Sequence, residues 1–88
     1  MSYRVQLTGP ARRDLGKIPA KTAFAIAELL AGPLAESPQR VGKPLIGDLA
    51  GEWSARRGEW RILYTIDDTT MTVTVDRIAH RRDAYHIS

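Results

Sequence analysis

The residues of this chain best equipped for chemistry are its arginines, and they gather in two stretches. Arg56, Arg57 and Arg61 lie within residues 53–64, and Arg77, Arg81 and Arg82 lie near the C-terminal end, with His80 and Tyr85 beside them. Lys43 precedes the first group. Arginine outnumbers lysine ten to three, and its planar guanidinium makes bidentate contacts to phosphate or carboxylate where lysine acts as a point charge. Such a set suits a phosphodiester. Arginines stabilise a phosphorane as it gains charge, histidine moves protons near neutral pH, and tyrosine stacks on a base.

These side chains must be positioned by strands. Residues 53–57 and 60–64 read as two arms of a hairpin, with Gly58 as the turn residue. Whether the loop is Arg57-Gly58 or Gly58-Glu59, period-2 alternation puts Arg56 and Arg61 on one face. Trp60, Ile62, Tyr64 and Ile66 then point to the other, which fits a core. In consecutive antiparallel strands, Arg61 should lie near the end of the last strand, where His80 and Arg81 are.

Earlier in the chain, Tyr3, Val5 and Leu7 alternate with Arg4, Gln6 and Thr8, the pattern of a half-buried strand. Thr8 can cap a helix with Pro10 in its first turn. Ala11, Leu15 and Ile18 form that helix's apolar stripe, and Arg12, Arg13, Asp14 and Lys17 its wet side. Pro19 ends it or opens the next. A second helix over residues 20–36 has Ala23, Ile26, Ala27, Leu30 and Leu34 at helical spacing, with a break expected at Gly32-Pro33. Ser37-Pro38 should end the helical region. Residues 39–51 read as a loop anchored by Leu45 and Leu49, residues 67–70 as a polar turn, and residues 71–78 as a Thr/Val-rich strand. The order is β-α-α-β-β-β, an α+β fold: a small antiparallel-rich sheet with an N-terminal αα-hairpin on one face.

Length and composition bound the rest. At 88 residues, the chain makes one domain, residues 1–88. With no cysteine, disulfides and cysteine-ligated zinc are excluded. No signal peptide or membrane-spanning run stands out, so the cytoplasm is the expected address. The net charge of +3 and pI near 9.7 point to nucleic acid or an acidic partner, and no metal or cofactor is called for. Each feature also has a plain reading. Two arginines on a hairpin often form a solvated face, His80 reads as a surface residue, and Tyr85 as a packing residue. Glu52, Glu59, Asp76 and Asp83 read as salt-bridge partners of the nearby arginines.

Taken together, Arg40-Val-Gly-Lys-Pro-Leu, Leu49-Ala-Gly, Trp53-Ser-Ala-Arg-Arg-Gly, Trp60-Arg-Ile-Leu-Tyr and His80-Arg-Arg-Asp-Ala-Tyr85 resemble the RelE/ParE toxin superfamily, nearest its RelE branch. Ala11-Arg-Arg-Asp-Leu and the helix before Ser37-Pro38 fit as well. The resemblance implies the toxin of a type II toxin–antitoxin system, a metal-independent, cofactor-free endoribonuclease cleaving mRNA in the ribosomal A site of the small subunit. Attack by the RNA 2′-hydroxyl on the adjacent phosphorus is the implied mechanism. It further implies that Arg61 holds the scissile phosphate and that Arg81 does likewise or protonates the leaving group. Tyr85 would stack on a base or orient the 2′-hydroxyl, and Arg56, with Lys43, Arg57 and Arg82, would complete the cradle. The RelE pattern has lysines on the strand before the turn, where this chain has Glu52 and Ser54. That leaves His80, with Lys43 second, as the acid/base candidate. A RelB-like antitoxin is the implied partner. Gyrase inhibition of the ParE type is the alternative, and a toxin reduced to binding its antitoxin is a third.

Overall fold

The computed structural model describes residues 2–83, so Tyr85 lies outside the described residues. The elements are β1 (Arg4–Leu7), α1 (Gly9–Lys17), α2 (Ala20–Ala31), α3 (Pro33–Glu36), α4 (Pro38–Val41), β2 (Lys43–Pro44), β3 (Trp53–Arg57), β4 (Trp60–Asp67) and β5 (Thr72–His80). A 3-10 turn covers Gly47–Leu49. The five strands form one sheet in the order β1-β5-β4-β3-β2. β1 runs parallel to β5, and every other pairing is antiparallel.

The helical layer covers one face, as expected. Thr8 caps α1, its Oγ1 accepting from the Ala11 amide at 3.2 Å, and Pro10 occupies the first turn, where a missing N–H costs little. Pro19 stands as the N-cap of α2, so it closes one helix and opens the next. The break near Gly32-Pro33 is present: α2 stops at Ala31, and Pro33 starts the single turn of α3. Ile26, Leu30 and Leu34 are buried against Ala55, Ile62, Tyr64, Val73, Val75 and Ile78 of the sheet. No helix among the described residues is long and apolar enough to cross a membrane.

Four expectations need correction. Pro38 does not end the helical region; it begins α4, because proline is pre-set for a first helical position. Residues 39–51 are not simply loop, since Lys43–Pro44 pairs with Trp53–Ser54 as an edge strand. A two-residue strand carries too few alternations to be read from sequence. Ala27 is exposed although it shares the helical spacing, because the buried stripe runs through Ala23, Ile26 and Leu30 to one side of it. Asp14 is not on a wet face: it accepts from Arg77 Nε at 2.8 Å, Arg77 Nη2 at 3.2 Å and the Ile78 amide at 2.9 Å. β1 pairs only with residues 72–75 of β5, and Asp14 satisfies the strand edge beyond.

One buried hydroxyl fixes the edge of the sheet nearest the chemistry. Tyr64 is fully buried, and its hydroxyl donates to the Pro38 carbonyl at 2.7 Å, with the Gly42 amide on its other side. Burial pushes its pKa up to about 12, so it remains a donor at any working pH. This bond ties α4 and the start of β2 to the central strand, and thereby sets where Lys43 stands.

Candidate functional site

The face of the sheet away from the helices is built by alternation on β3 and β4. The hairpin turns at Gly58-Glu59, with Arg57 paired to Trp60. Gly58 takes φ +61°, as the first central position of a type II′ turn requires. This register sets Arg56 directly opposite Arg61, so the two share a face, as the sequence predicted. On the outer side, Lys43 stands opposite Ser54. The result is an open pocket of about 400 Å³ lined by Val41, Lys43, Ser54, Arg56 and Arg61.

Its electrostatics are one-signed. Three cations and no carboxylate line it, and among the described residues none of the three is in a salt bridge. Arg61 is half-buried, and its Nε is fully buried with no hydrogen-bond partner among the described residues. Leaving a buried donor unpaired costs about 1–3 kcal/mol, and more for a charged group. An anionic oxygen in the pocket would satisfy it.

The other expected residues stand elsewhere. Arg61 is opposite Ala79 on β5 and Trp60 is opposite His80. One residue along a strand reverses the face, so His80 points away from the pocket. Its ring meets that of Trp60 edge-on, with centroids 5.4 Å apart. Its Nε2 is 3.9 Å from Glu59 Oε2, and its Nδ1 accepts from the Arg82 amide at 3.3 Å. Arg81 is two-thirds exposed and reaches Glu59 Oε1 at 3.5 Å. Arg82 is exposed in the turn after β5, and Arg57 lies on the helix side, near Ala25 and Glu28 of α2. The structure therefore gathers Lys43, Arg56 and Arg61, and leaves Arg57, His80, Arg81 and Arg82 outside the pocket.

Two residues expected as salt-bridge partners of the arginines, Glu52 and Asp76, stand beside each other instead. Glu52 belongs by alternation to the face of Ser54 and Arg56, and could have been found from that. Asp76 follows Val73 and Val75, which face the helices, so alternation sets it on the open face as well; it is the extra residue of β5 at the bulge opposite Leu63/Tyr64. There Glu52 and Asp76 line a second recess with Leu63 and Arg77. Among the described residues neither forms a salt bridge with an arginine. Burial, followed by hydrogen bonding to and repulsion from Asp76, pushes the Glu52 carboxyl up to about 7.

Comparison with known proteins bears on the whole chain. The model of the ParE toxin of the type II toxin–antitoxin system parDE matches residues 5–85. The toxin RelG of Mycobacterium tuberculosis is 51% identical over 85 residues, covering 97% of this chain and 98% of that protein. The toxin RelE of the same organism is 45% identical over 86 residues, covering 98% and 89%. In the crystal structure of the M. tuberculosis toxin–antitoxin complex RelBE2, a chain 49% identical superposes with a TM-score of 0.89, covering 92% of this chain and 100% of that one.

Proposed function

The chain belongs to the RelE/ParE superfamily of type II toxin–antitoxin toxins, and on that premise we propose that it is a ribosome-dependent mRNA endoribonuclease. The observation that carries this reading is the pocket of Lys43, Arg56 and Arg61 with its buried, unpartnered Arg61 Nε. Three unneutralised cations on three adjacent strands, β2, β3 and β4, fit a phosphodiester whose charge grows during reaction. The 2′-hydroxyl oxygen bonds to phosphorus, the P–O5′ bond breaks, and a 2′,3′-cyclic phosphate and a 5′-hydroxyl result. In this reading Arg61 donates to the non-bridging oxygens, and Arg56 and Lys43 hold the flanking phosphate charge. Arg81, which stands beside Glu59 outside the pocket, and Tyr85 act on the leaving group and the base, roles that rest on the family resemblance. His80, turned to Trp60, takes no part. Inhibition of translation follows from the cut.

An antitoxin is the expected partner, as in the RelBE2 complex. An acidic segment would meet the basic pocket, and the short β2 edge offers free backbone groups for strand addition. The match to the ParE model favours gyrase inhibition as the second reading. Purified chain added to programmed 70S ribosomes tests the proposal. Cleavage within the A-site codon is the expected outcome. Intact mRNA, together with inhibition of gyrase supercoiling, would transfer the assignment to the second reading.

A further inference from the structure

The helical layer carries an apolar face that the described residues leave uncovered. On its inner side, α2 packs Ala23, Ile26 and Leu30 onto the sheet. On its outer side, Ala20, Phe24, Ala27 and Ala31 are exposed, Phe24 by 67%. A helix that is apolar all round is normally buried all round. The outer stripe also has the alternating four-and-three spacing of a seam between two helices. Lys21 and Glu28 are the only charged residues of α2. Each directly follows a seam residue, so both lie on the same flank of the stripe. Both are exposed, and among the described residues neither is in a salt bridge.

This arrangement is complementary to itself. The seam positions are symmetric about the midpoint between Ala20 and Ala31, so an antiparallel α2 from a second copy sets Ala20 against Ala31 and Phe24 against Ala27. Each Phe24 then meets a small residue, whereas parallel helices would set Phe24 against Phe24. A two-fold axis across antiparallel helices also brings like flanks together. Lys21 of each copy thus meets Glu28 of the other, giving two opposite-charge pairs at the edge of the seam. In parallel helices this flank would face that of Ala23 and Leu30, which is turned to the core. We propose that the outer face of α2 is a self-association surface, on which two copies of this chain pair antiparallel about a two-fold axis. The pocket of Lys43, Arg56 and Arg61 lies on the other face of the sheet, so it stays open in the pair. One helix against one helix falls at the small end of protein interfaces, below about 1,200 Å² in total. Association is therefore weak and follows concentration.

The test is sedimentation equilibrium of the purified full chain over about 1 µM to 1 mM, the range of weak association. The wild-type mass should rise with concentration from that of one chain toward that of two. Phe24→Glu removes the apolar anchor and should stay at one chain throughout. Lys21→Glu and Glu28→Lys each set like charges together and should weaken the pair at least several-fold, while Lys21→Glu/Glu28→Lys should restore it. These positions are exposed, so each variant should melt at the wild-type Tm by circular dichroism, which checks the fold. A wild type that stays at one chain overturns the inference. Loss of copurifying antitoxin from Phe24→Glu would then assign the face to that partner instead. A wild type that pairs while Phe24→Glu pairs equally well overturns it too, by placing the contact on another face. A double reversal that fails to recover association overturns the antiparallel pairing.

Discussion

Replacing Gly42 with alanine should cost far more than one methyl group on a surface turn normally does. A Cβ at this position would lie 2.8 Å from the Ser54 carbonyl oxygen and 3.0 Å from Tyr64 Cζ, with the Tyr64 hydroxyl closer still. Both neighbours are fixed: Ser54 sits in a paired strand, and Tyr64 is buried and bonded to Pro38. Overpacking of this kind costs about 1–3 kcal/mol. Displacing the hydroxyl from the Pro38 carbonyl leaves buried groups unpaired, for about 1–3 kcal/mol more. The sum is about 4 kcal/mol, a third or more of the roughly 4–13 kcal/mol expected for a domain of this size. That corresponds to a Tm lower by about 20 °C. Thermal and urea unfolding followed by circular dichroism measures it. Tyr64→Phe alone should cost about 1.5 kcal/mol. Because it removes the atom nearest the new Cβ, the double variant should be more stable than the sum of the two by about 1–2 kcal/mol. A Gly42→Ala protein within about 0.5 kcal/mol of wild type, or a strictly additive pair, would refute the claim that Tyr64 and Gly42 are packed as one unit.

Further outcomes follow from other contacts. Burial raises the Asp14 carboxyl, but the Arg77 hydrogen bond, the Ile78 amide and the charges of Arg77 and Lys17 together hold it below the usual carboxylate range. Its folded pKa is depressed, so its contribution is full above about pH 4 and disappears as pH falls through the folded value. Asp14→Ala should therefore lose about 2 kcal/mol at pH 7, less whatever solvent screens from the 37%-exposed Arg77 side chain, and the difference should close in acid melts. Glu52 has the opposite sign. Its raised value penalises the folded state as pH climbs from its unfolded to its folded pKa, so Glu52→Gln should raise Tm at pH 8 and leave it unchanged at pH 4. Gly58→Ala forces a side chain into φ +61° and should cost about 1 kcal/mol, read as a fall in Tm of several degrees.

Alternation was the part of the sequence that carried furthest. It put Arg56 and Arg61 on one face and Ile62 and Tyr64 on the other, because period 2 needs no knowledge of the partner strand. Thr8 and Pro10 announced α1 by local chemistry alone. Where the outcome depended on contacts distant in sequence, local patterns gave no warning. Lys43 joins the pocket only because β2 pairs with β3, and Tyr64 holds that edge from 26 residues away. His80 stands outside the pocket because nearness at a strand end does not set facing, and pairing with Trp60 decides the side. Asp14 sits on the polar side of its helix, yet meets a strand edge that β1 leaves unpaired. Asp76 is the extra residue of a bulge, and from there on β5 no longer keeps the alternation of Val73 and Val75.

The claim at the centre is that Arg61, and not positive charge in general, holds the reacting phosphate. Arg57 offers the matched control: it is the same residue type four positions away, on the opposite face of the hairpin. Cleavage of A-site mRNA on programmed 70S ribosomes by wild type, Arg61→Ala and Arg57→Ala tests this most directly. Arg61→Ala should lose about 10²–10³ in rate while Arg57→Ala stays within about threefold. Equal losses in both variants, or full activity in Arg61→Ala, would contradict it.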